Sequence, residues 1–184
     1  MDLHDFTDCE LYFEQPLTPT ISDLIDAAAR HYGEPEAESL LLRAYFLAPE
    51  NLTVLVGLYR YYFYQHRLED ALIVAERALS VSAGQLQLNT HWQHMTRLHL
   101  GDAAQRSFGL LRFYLIALKA STVVLLRLGD FAEARIRLQK LAELDSNDRL
   151  GVARLLEVVN TFQPVPAEDP AAATEPAIKE MQNG

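Results

Sequence analysis

Hydrophobic residues recur along most of the chain at the three- and four-residue intervals that are typical of amphipathic helices. No stretch of alternating apolar and polar residues competes with this pattern, so the sequence predicts an all-α protein without a sheet. The predicted helices are 20–32, 35–47, 52–66, 69–81, a short one from residue 89 or 90 to 101, then 103–128, 131–144 and 148–161. Several of these boundaries follow from local signals. Helices are expected to start at Pro35 and Asp102 and to end at Gly33 and Gly129.

Two segments of biased composition flank the helical body. Residues 1–17 form an N-terminal arm with five acidic residues and no basic one, yet they include Leu11, Tyr12 and Phe13, which predict that the arm docks on the body. Residues 163–184 are rich in Pro, Ala and acidic residues and lack aromatic ones, which predicts a disordered tail. The sequence therefore predicts one folded domain over residues 18–162.

A repeated pattern of a turn, a helix start and a small residue runs through this domain. The clearest copy is Gly129-Asp130-Phe131-Ala132-Glu133-Ala134, a second surrounds Ala71, and a weaker third surrounds Ala37. Ala37 and Ala71 are 34 residues apart, whereas Ala71 and Ala134 are 63 apart, or 34 plus 29. This pattern resembles the tetratricopeptide repeat (TPR) family, in which a helix pair recurs every 34 residues.

The resemblance implies a right-handed α-solenoid of about three helix–turn–helix repeats with a C-terminal capping helix. The repeats would span about 18–51, 52–85 and 115–148, with an insert at 86–114 and the capping helix at 149–162. Residues matching the packing positions of the family are Ala37, Leu55, Leu58, Tyr59, Tyr62, Ala71, Ala78, Leu125, Gly129, Phe131 and Ala134. The chain departs from the family pattern at His66, where glycine is usual, and at Ser121 and Thr122, which replace a Leu-Gly pair.

In the TPR family the first helix of each repeat lines a concave groove that binds an extended or helical peptide. By helical position, the residues expected to face such a groove here are Arg30, Arg60, Phe63, Tyr64, Lys119 and Arg127. Arginine binds carboxylates through two parallel hydrogen bonds, so the groove is expected to favour an acidic segment of a partner protein. The alternative interpretation is that these residues are ordinary solvated charges and half-buried aromatics.

The resulting functional hypothesis is a non-catalytic protein–protein interaction module, such as an adaptor or assembly factor. One alternative is a self-associating structural protein, with the helix at 108–128 as a dimer face. Another is a metal- or redox-linked accessory factor of a bacterial metabolic gene cluster, nitrogen fixation among them, with the histidine segment as its site. His91 and His94 share a helix face there, but His99 converges with them only with distortion, so no metal site is predicted.

Composition argues against several other functions. The formal net charge is −9 and no basic stripe compensates for it, which argues against nucleic-acid binding. The single cysteine, Cys9, excludes an intramolecular disulfide, and neither a glycine-rich phosphate loop nor a known nucleophile motif is present, so neither an enzyme nor a cofactor is expected. Charged residues interrupt the apolar stretch at 108–128, which favours a core helix over a membrane span and a cytoplasmic location.

Overall fold

The computed structural model describes residues 16–162, and this part of the chain consists of eight α-helices without a strand. The all-α prediction is confirmed for these residues. The helices are α1 (Pro19–Arg30), α2 (Pro35–Leu47), α3 (Leu52–Tyr64), α4 (Leu68–Gln85), α5 (Arg97–Arg106), α6 (Phe108–Leu128), α7 (Phe131–Leu144) and α8 (Ala153–Phe162), with a 3₁₀ turn at Trp92–His94 before α5. The predictions for residues 1–15 and for the tail at 163–184 lie outside the described residues.

Local sequence signals explain where several helices begin. Proline occupies the first position of α1 and of α2, where its missing N–H removes no helical hydrogen bond. Asn51 precedes α3, and its side-chain oxygen accepts hydrogen bonds from the N–H groups of Thr53 and Val54 at 3.0 and 3.2 Å. Asp130 caps α7 in the same way by accepting from the N–H of Glu133 at 3.1 Å.

The segment between α4 and α6 differs from the prediction. The expected helix ending at Gly101 is wrong, because α5 runs through this glycine to Arg106. The expected start of the long helix at residue 103 is also wrong, because Ser107 is extended and its hydroxyl accepts from the N–H of Leu110 at 3.2 Å, which starts α6 at Phe108. A single glycine costs about 1 kcal/mol inside a helix, too little to end one without a competing cap.

The last helix begins later than its sequence indicates. Asp148 and Gly151 adopt φ angles of 48° and 63°, in the left-handed region, so the chain turns before α8 begins at Ala153. The Asp148 carboxylate accepts from the N–H groups of Val152 and Ala153 at 2.7 and 3.1 Å. This carboxylate therefore caps α8 from beyond the turn rather than from the residue next to the helix.

The helices pack mainly on their neighbours along the chain. Three antiparallel hairpins, α1/α2, α3/α4 and α6/α7, are joined by contacts of α2 with α3 and of α4 with α6, and α8 packs on α7. Ala37, Ala71 and Ala134 are completely buried in the second helices of the three hairpins. Of the other residues matched to packing positions, Leu55, Leu58, Tyr59, Tyr62, Ala78 and Leu125 are buried, Phe131 is half-buried and Gly129 is exposed in the turn after α6.

Helix α6 forms the centre of this arrangement. Among the described residues it is the one helix that is long and apolar enough to cross a membrane, with a mean hydropathy of 1.7 in its most apolar window. That window is 61% buried inside the chain, because α4, α5 and α7 pack around it. This burial is typical of a core helix and is compatible with a soluble protein.

Candidate binding groove

A shallow, open groove lies between α3 and α6, with α4 as its floor. Small side chains create the space, since four of its nine lining residues are alanines. The lining residues are Leu55, Val56, Tyr59 and Arg60 from α3, Ala75 and Ala78 from α4, and Phe113, Ala117 and Ala120 from α6. The surface that the groove exposes is entirely apolar, although Tyr59 and Arg60 are among its lining residues.

Tyr59, one of the lining residues, has a buried hydroxyl group that forms no hydrogen bond with the described residues. The side chain is 6% exposed, and its hydroxyl oxygen is buried without a hydrogen-bond partner among the described residues. Burial raises the pKa of the Tyr59 phenol far above its usual value, the Tyr64 phenol adds to the shift, and the Arg127 guanidinium opposes it. A buried hydroxyl without a partner costs about 1–3 kcal/mol. Because this oxygen is inaccessible and the groove exposes only apolar surface, a ligand could supply an acceptor only if the Tyr59 side chain moved.

Aromatic and cationic side chains close one end of the groove. The Tyr59 ring stacks on Phe63 with centroids 5.7 Å apart, and the Arg127 guanidinium carbon lies 4.7 Å from the Phe63 centroid. Arg127 Nη2 is also 3.0 Å from His66 Nδ1. An arginine on an aromatic face keeps donors available for a carboxylate, because the ring contact uses its face and not its N–H groups.

His66 explains one departure from the TPR pattern. Its φ angle is 58°, in the left-handed region that glycine adopts without strain and histidine does not. The α3/α4 turn therefore places a non-glycine residue in the left-handed region, and its side chain contacts Arg127. Strain of this kind persists where the surrounding contacts hold the residue in place.

The structure separates the six residues that the sequence assigned to a groove. Arg60 lines the groove, and Phe63, Tyr64 and Arg127 lie together at its aromatic end, where the Phe63 and Tyr64 rings meet edge to face at 5.8 Å. Lys119 is directed elsewhere, since its Nζ donates a hydrogen bond to the Leu150 carbonyl and joins α6 to the loop before α8. Arg30 is exposed at the last residue of α1.

Comparison with known proteins gives one clear relationship. The uncharacterized 19.8 kDa protein in the nifW 5′ region of Azotobacter chroococcum mcd 1 is 48% identical over 159 residues, which make up 86% of this chain and 89% of that protein. The chain belongs to the family of that protein. No protein-family model matches the chain, and no solved structure matches it. The relationship covers nearly all of both proteins, so the helical body described above lies largely within the shared region.

Sequence reasoning missed a second polar cluster, centred on Arg137 of α7. This arginine is 8% exposed, and it donates to Ser121 Oγ at 2.7 Å, to Glu133 Oε1 at 2.9 Å and to the Glu76 carboxylate. Its guanidinium carbon lies 5.2 Å from the Trp92 ring centroid. These contacts join α4, α6, α7 and the 3₁₀ turn, so the cluster holds the segment between α4 and α6 against the helix hairpins. A charged residue in a helical pattern ordinarily indicates an exposed face, so the sequence carried no signal for this role.

The histidines of the insert do not form a common site among the described residues. His91 and His94 are exposed, whereas His99 Nδ1 accepts from the Thr96 N–H at 3.1 Å and caps α5. Trp92 and Met95 are the residues that anchor this segment in the core.

A different histidine has the neighbours that a metal site would need. His31, Glu34 and Glu36 offer ligand atoms within 4.8 Å of one another at the α1/α2 turn. His31 Nδ1 lies 3.1 Å from a Glu34 carboxylate oxygen and 3.7 Å from a Glu36 oxygen, and all three side chains are largely exposed. These contacts are satisfied as a surface ion pair, an arrangement that needs no metal.

Proposed function

We propose that the chain is a non-catalytic protein–protein interaction module that binds a segment of a partner polypeptide in the groove between α3 and α6. The observation that carries this proposal is a preformed, alanine-floored apolar groove between α3 and α6, with Arg60 among its lining residues. An apolar side chain of a peptide would cover the exposed apolar surface of this groove. Arg60 and Arg127 favour an acidic segment.

The hairpin geometry supports a TPR-like solenoid of about three repeats. Each hairpin turn contains one residue in the left-handed region, namely Gly33, His66 and Gly129, with φ angles of 96°, 58° and 84°. A completely buried alanine follows each of them, after four residues in the first hairpin and after five in the other two. Recurrence of the same turn and the same small residue supports a structural repeat, and α1, α3 and α6 would then be the groove-lining helices.

The biological setting of the partner is also a proposal. The relative from Azotobacter chroococcum is described by its position in the nifW 5′ region. We propose on this basis that the partner is a cytoplasmic protein encoded near nitrogen-fixation genes. The alternative of a dimer built on α6 has less support, because most of the apolar surface of α6 is buried within the chain.

Site-specific photo-crosslinking tests the proposed function. A benzophenone amino acid replaces Val56, which is half-buried and lines the groove, or Ile73, which is 67% exposed on α4 and does not line it. In cells that express the chain natively, we expect a discrete polypeptide adduct at position 56 and not at position 73. Equal adducts at both positions, or none at position 56, would contradict a groove-binding function.

A further inference from the structure

We propose that residues 10–14 of the chain itself, Glu10-Leu11-Tyr12-Phe13-Glu14, occupy the groove when no partner is bound, so that a partner must displace them. This inference rests on the proposed function, because it assigns an intramolecular competitor to the same groove. The three steps that support it are the chemistry of the segment, its reach, and the effective concentration that a tether provides.

The side chains of residues 10–14 are complementary to the groove in hydrophobicity and in charge. Leu11, Tyr12 and Phe13 supply apolar and aromatic side chains that can cover the apolar, alanine-floored surface of the groove. Carboxylates at Glu10 and Glu14 flank the apolar residues on both sides. These charges are complementary to Arg60 and Arg127, and the groove lining itself contains no acidic residue.

The other end of the chain fits less well. Residues 163–184 are also acidic, but they contain no aromatic residue, and four of the chain's eight prolines interrupt them. Their apolar residues, Val165, Ile178 and Met181, are separated from one another rather than contiguous. A compact groove bounded by two helices is better filled by three contiguous large side chains.

The described chain begins next to α3, the helix that forms one wall of the groove. Leu17 packs against the small cluster of Ile21, Leu24, Ala44 and Val54. Val54 is the residue before Leu55 and Val56, which line the groove. Phe13 and Leu11 lie 4 and 6 residues before Leu17, a reach of about 13–21 Å in extended chain. Packed helices are about 8–10 Å apart, so this reach is long enough for the segment to cross α3.

A tether of this length makes even weak binding effective. A short flexible connection gives an effective concentration in the millimolar range, so a contact with a dissociation constant of about 100 μM would be occupied roughly nine-tenths of the time. An external ligand of the groove would then bind about tenfold more weakly to the intact chain than to one whose arm cannot dock. Release of the arm is therefore the step that a natural partner would have to drive.

The experiment compares two full-length proteins and uses a synthetic peptide of residues 5–15 with a fluorescent label. The arm-disabled variant carries Leu11→Ser, Tyr12→Ser and Phe13→Ser, and Val165→Ser and Ile178→Ser in the tail serve as the matched control. We expect the peptide to bind the arm-disabled variant, and to bind the wild type and the tail control about tenfold or more weakly. Addition of Ala117→Trp to the arm-disabled variant should abolish binding, and high salt should weaken it.

Each other result overturns the proposal. Equal peptide affinity for wild-type and arm-disabled proteins would show that the arm does not occupy the groove. Absence of binding to both would do the same, and a lower melting temperature of the arm-disabled variant without peptide binding would show that the arm is a structural strap. Crosslinking at position 56 in the arm-disabled variant separates the two claims. A polypeptide adduct without peptide binding leaves the proposed function standing, whereas absence of both contradicts both.

Discussion

Two regions of the molecule bury a polar side chain next to α6, and they treat it in opposite ways. At the junction of α4, α6 and α7, the Arg137 guanidinium is 8% exposed and contacts Glu76, Glu133, Ser121 and the Trp92 ring. Between α3 and α6, the Tyr59 hydroxyl is equally inaccessible and has no partner among the described residues. Both regions contain alanines, but Ala134 is completely buried, whereas Ala117 and Ala120 line the groove and remain 6% and 7% exposed.

Hydrogen bonding therefore differs between the two buried polar side chains, and this difference indicates different roles for the two regions. A buried polar group with its hydrogen bonds satisfied fixes the positions of the elements that carry its partners. A buried polar group without a partner reduces stability, and such exceptions call for an explanation in terms of a ligand or a conformational change. The junction around Arg137 is therefore interpreted as the structural centre of the chain, and the groove beside Tyr59 as its binding surface.

The largest effect is expected when the satisfied cluster is broken. Arg137→Ala leaves two carboxylates and a buried serine without their donor, and should lower the free energy of unfolding by about 2–3 kcal/mol. The loss is smaller than for a fully enclosed pair, because the Glu76 and Glu133 side chains are 40% and 31% exposed and can be rehydrated. Arg43→Ala removes an exposed arginine of α2 and is the control, with an expected change within about 0.5 kcal/mol. Chemical denaturation measures both, and similar losses would contradict a structural role for Arg137.

A second test concerns the closed helix crossing. Ala134→Trp places a large side chain where exposure is zero and should cost about 1–3 kcal/mol or more. Ala132 lies two residues away on the exposed side of α7, so Ala132→Gln should leave the melting temperature nearly unchanged. Wild-type thermal stability of Ala134→Trp would show that α6 and α7 do not meet at this residue.

Local signals predicted the helix boundaries of the hairpins better than those of the segment between α4 and α6. Pro35 and Asp130 start helices at the expected positions, because each acts on its own first turn. The boundary between α5 and α6 was missed because Asp102 and Ser107 are both good caps, and the choice depends on how Trp92 and Met95 anchor the segment. Such long-range packing leaves no local signature.

The sequence identified some residues at the groove but not its floor, because local signals do not report packing between distant helices. Helical position identifies Arg60, Phe63 and Arg127, because these residues lie on one face of their own helices. The alanine floor depends on where α4 lies against α6, which periodicity does not give. Lys119 has a comparable helical position, but the Leu150 carbonyl, supplied by a distant turn, accepts its hydrogen bond.

Two tyrosines of α3 sharpen the comparison, because removal of their hydroxyls should have opposite effects. The Tyr62 hydroxyl donates to a Glu38 carboxylate oxygen at 3.2 Å, so Tyr62→Phe should lower the free energy of unfolding by about 0.5–1.5 kcal/mol. Tyr59→Phe removes a buried hydroxyl without a partner and should leave stability unchanged or raise it by up to about 1 kcal/mol. Equal destabilisation by both substitutions would show that Tyr59 has a partner in the folded chain.

The smallest effect is expected at alkaline pH. Burial raises the pKa of Tyr114 to about 12, and the Glu76 carboxylate adds to the shift. Burial likewise raises the pKa of Tyr62 to about 12, with Glu38 contributing. Both values lie above the unfolded value of about 10, so the folded state binds these protons more tightly, and stability should fall as pH rises from about 10 through 12. Tyr114→Phe should flatten this decline in melting temperature, and an unchanged decline would contradict the assignment.

The most direct test of the central claim is to fill the groove without disturbing the closed crossing. Ala117 lines the open volume, so Ala117→Trp occupies the space assigned to a partner side chain, and circular dichroism and the melting temperature establish that the variant is folded. The measurement is the yield of the partner crosslink at position 56 in this variant relative to the unmodified background. A folded variant that loses the crosslink is the predicted result. A folded variant that retains the full yield with its groove filled would contradict the account.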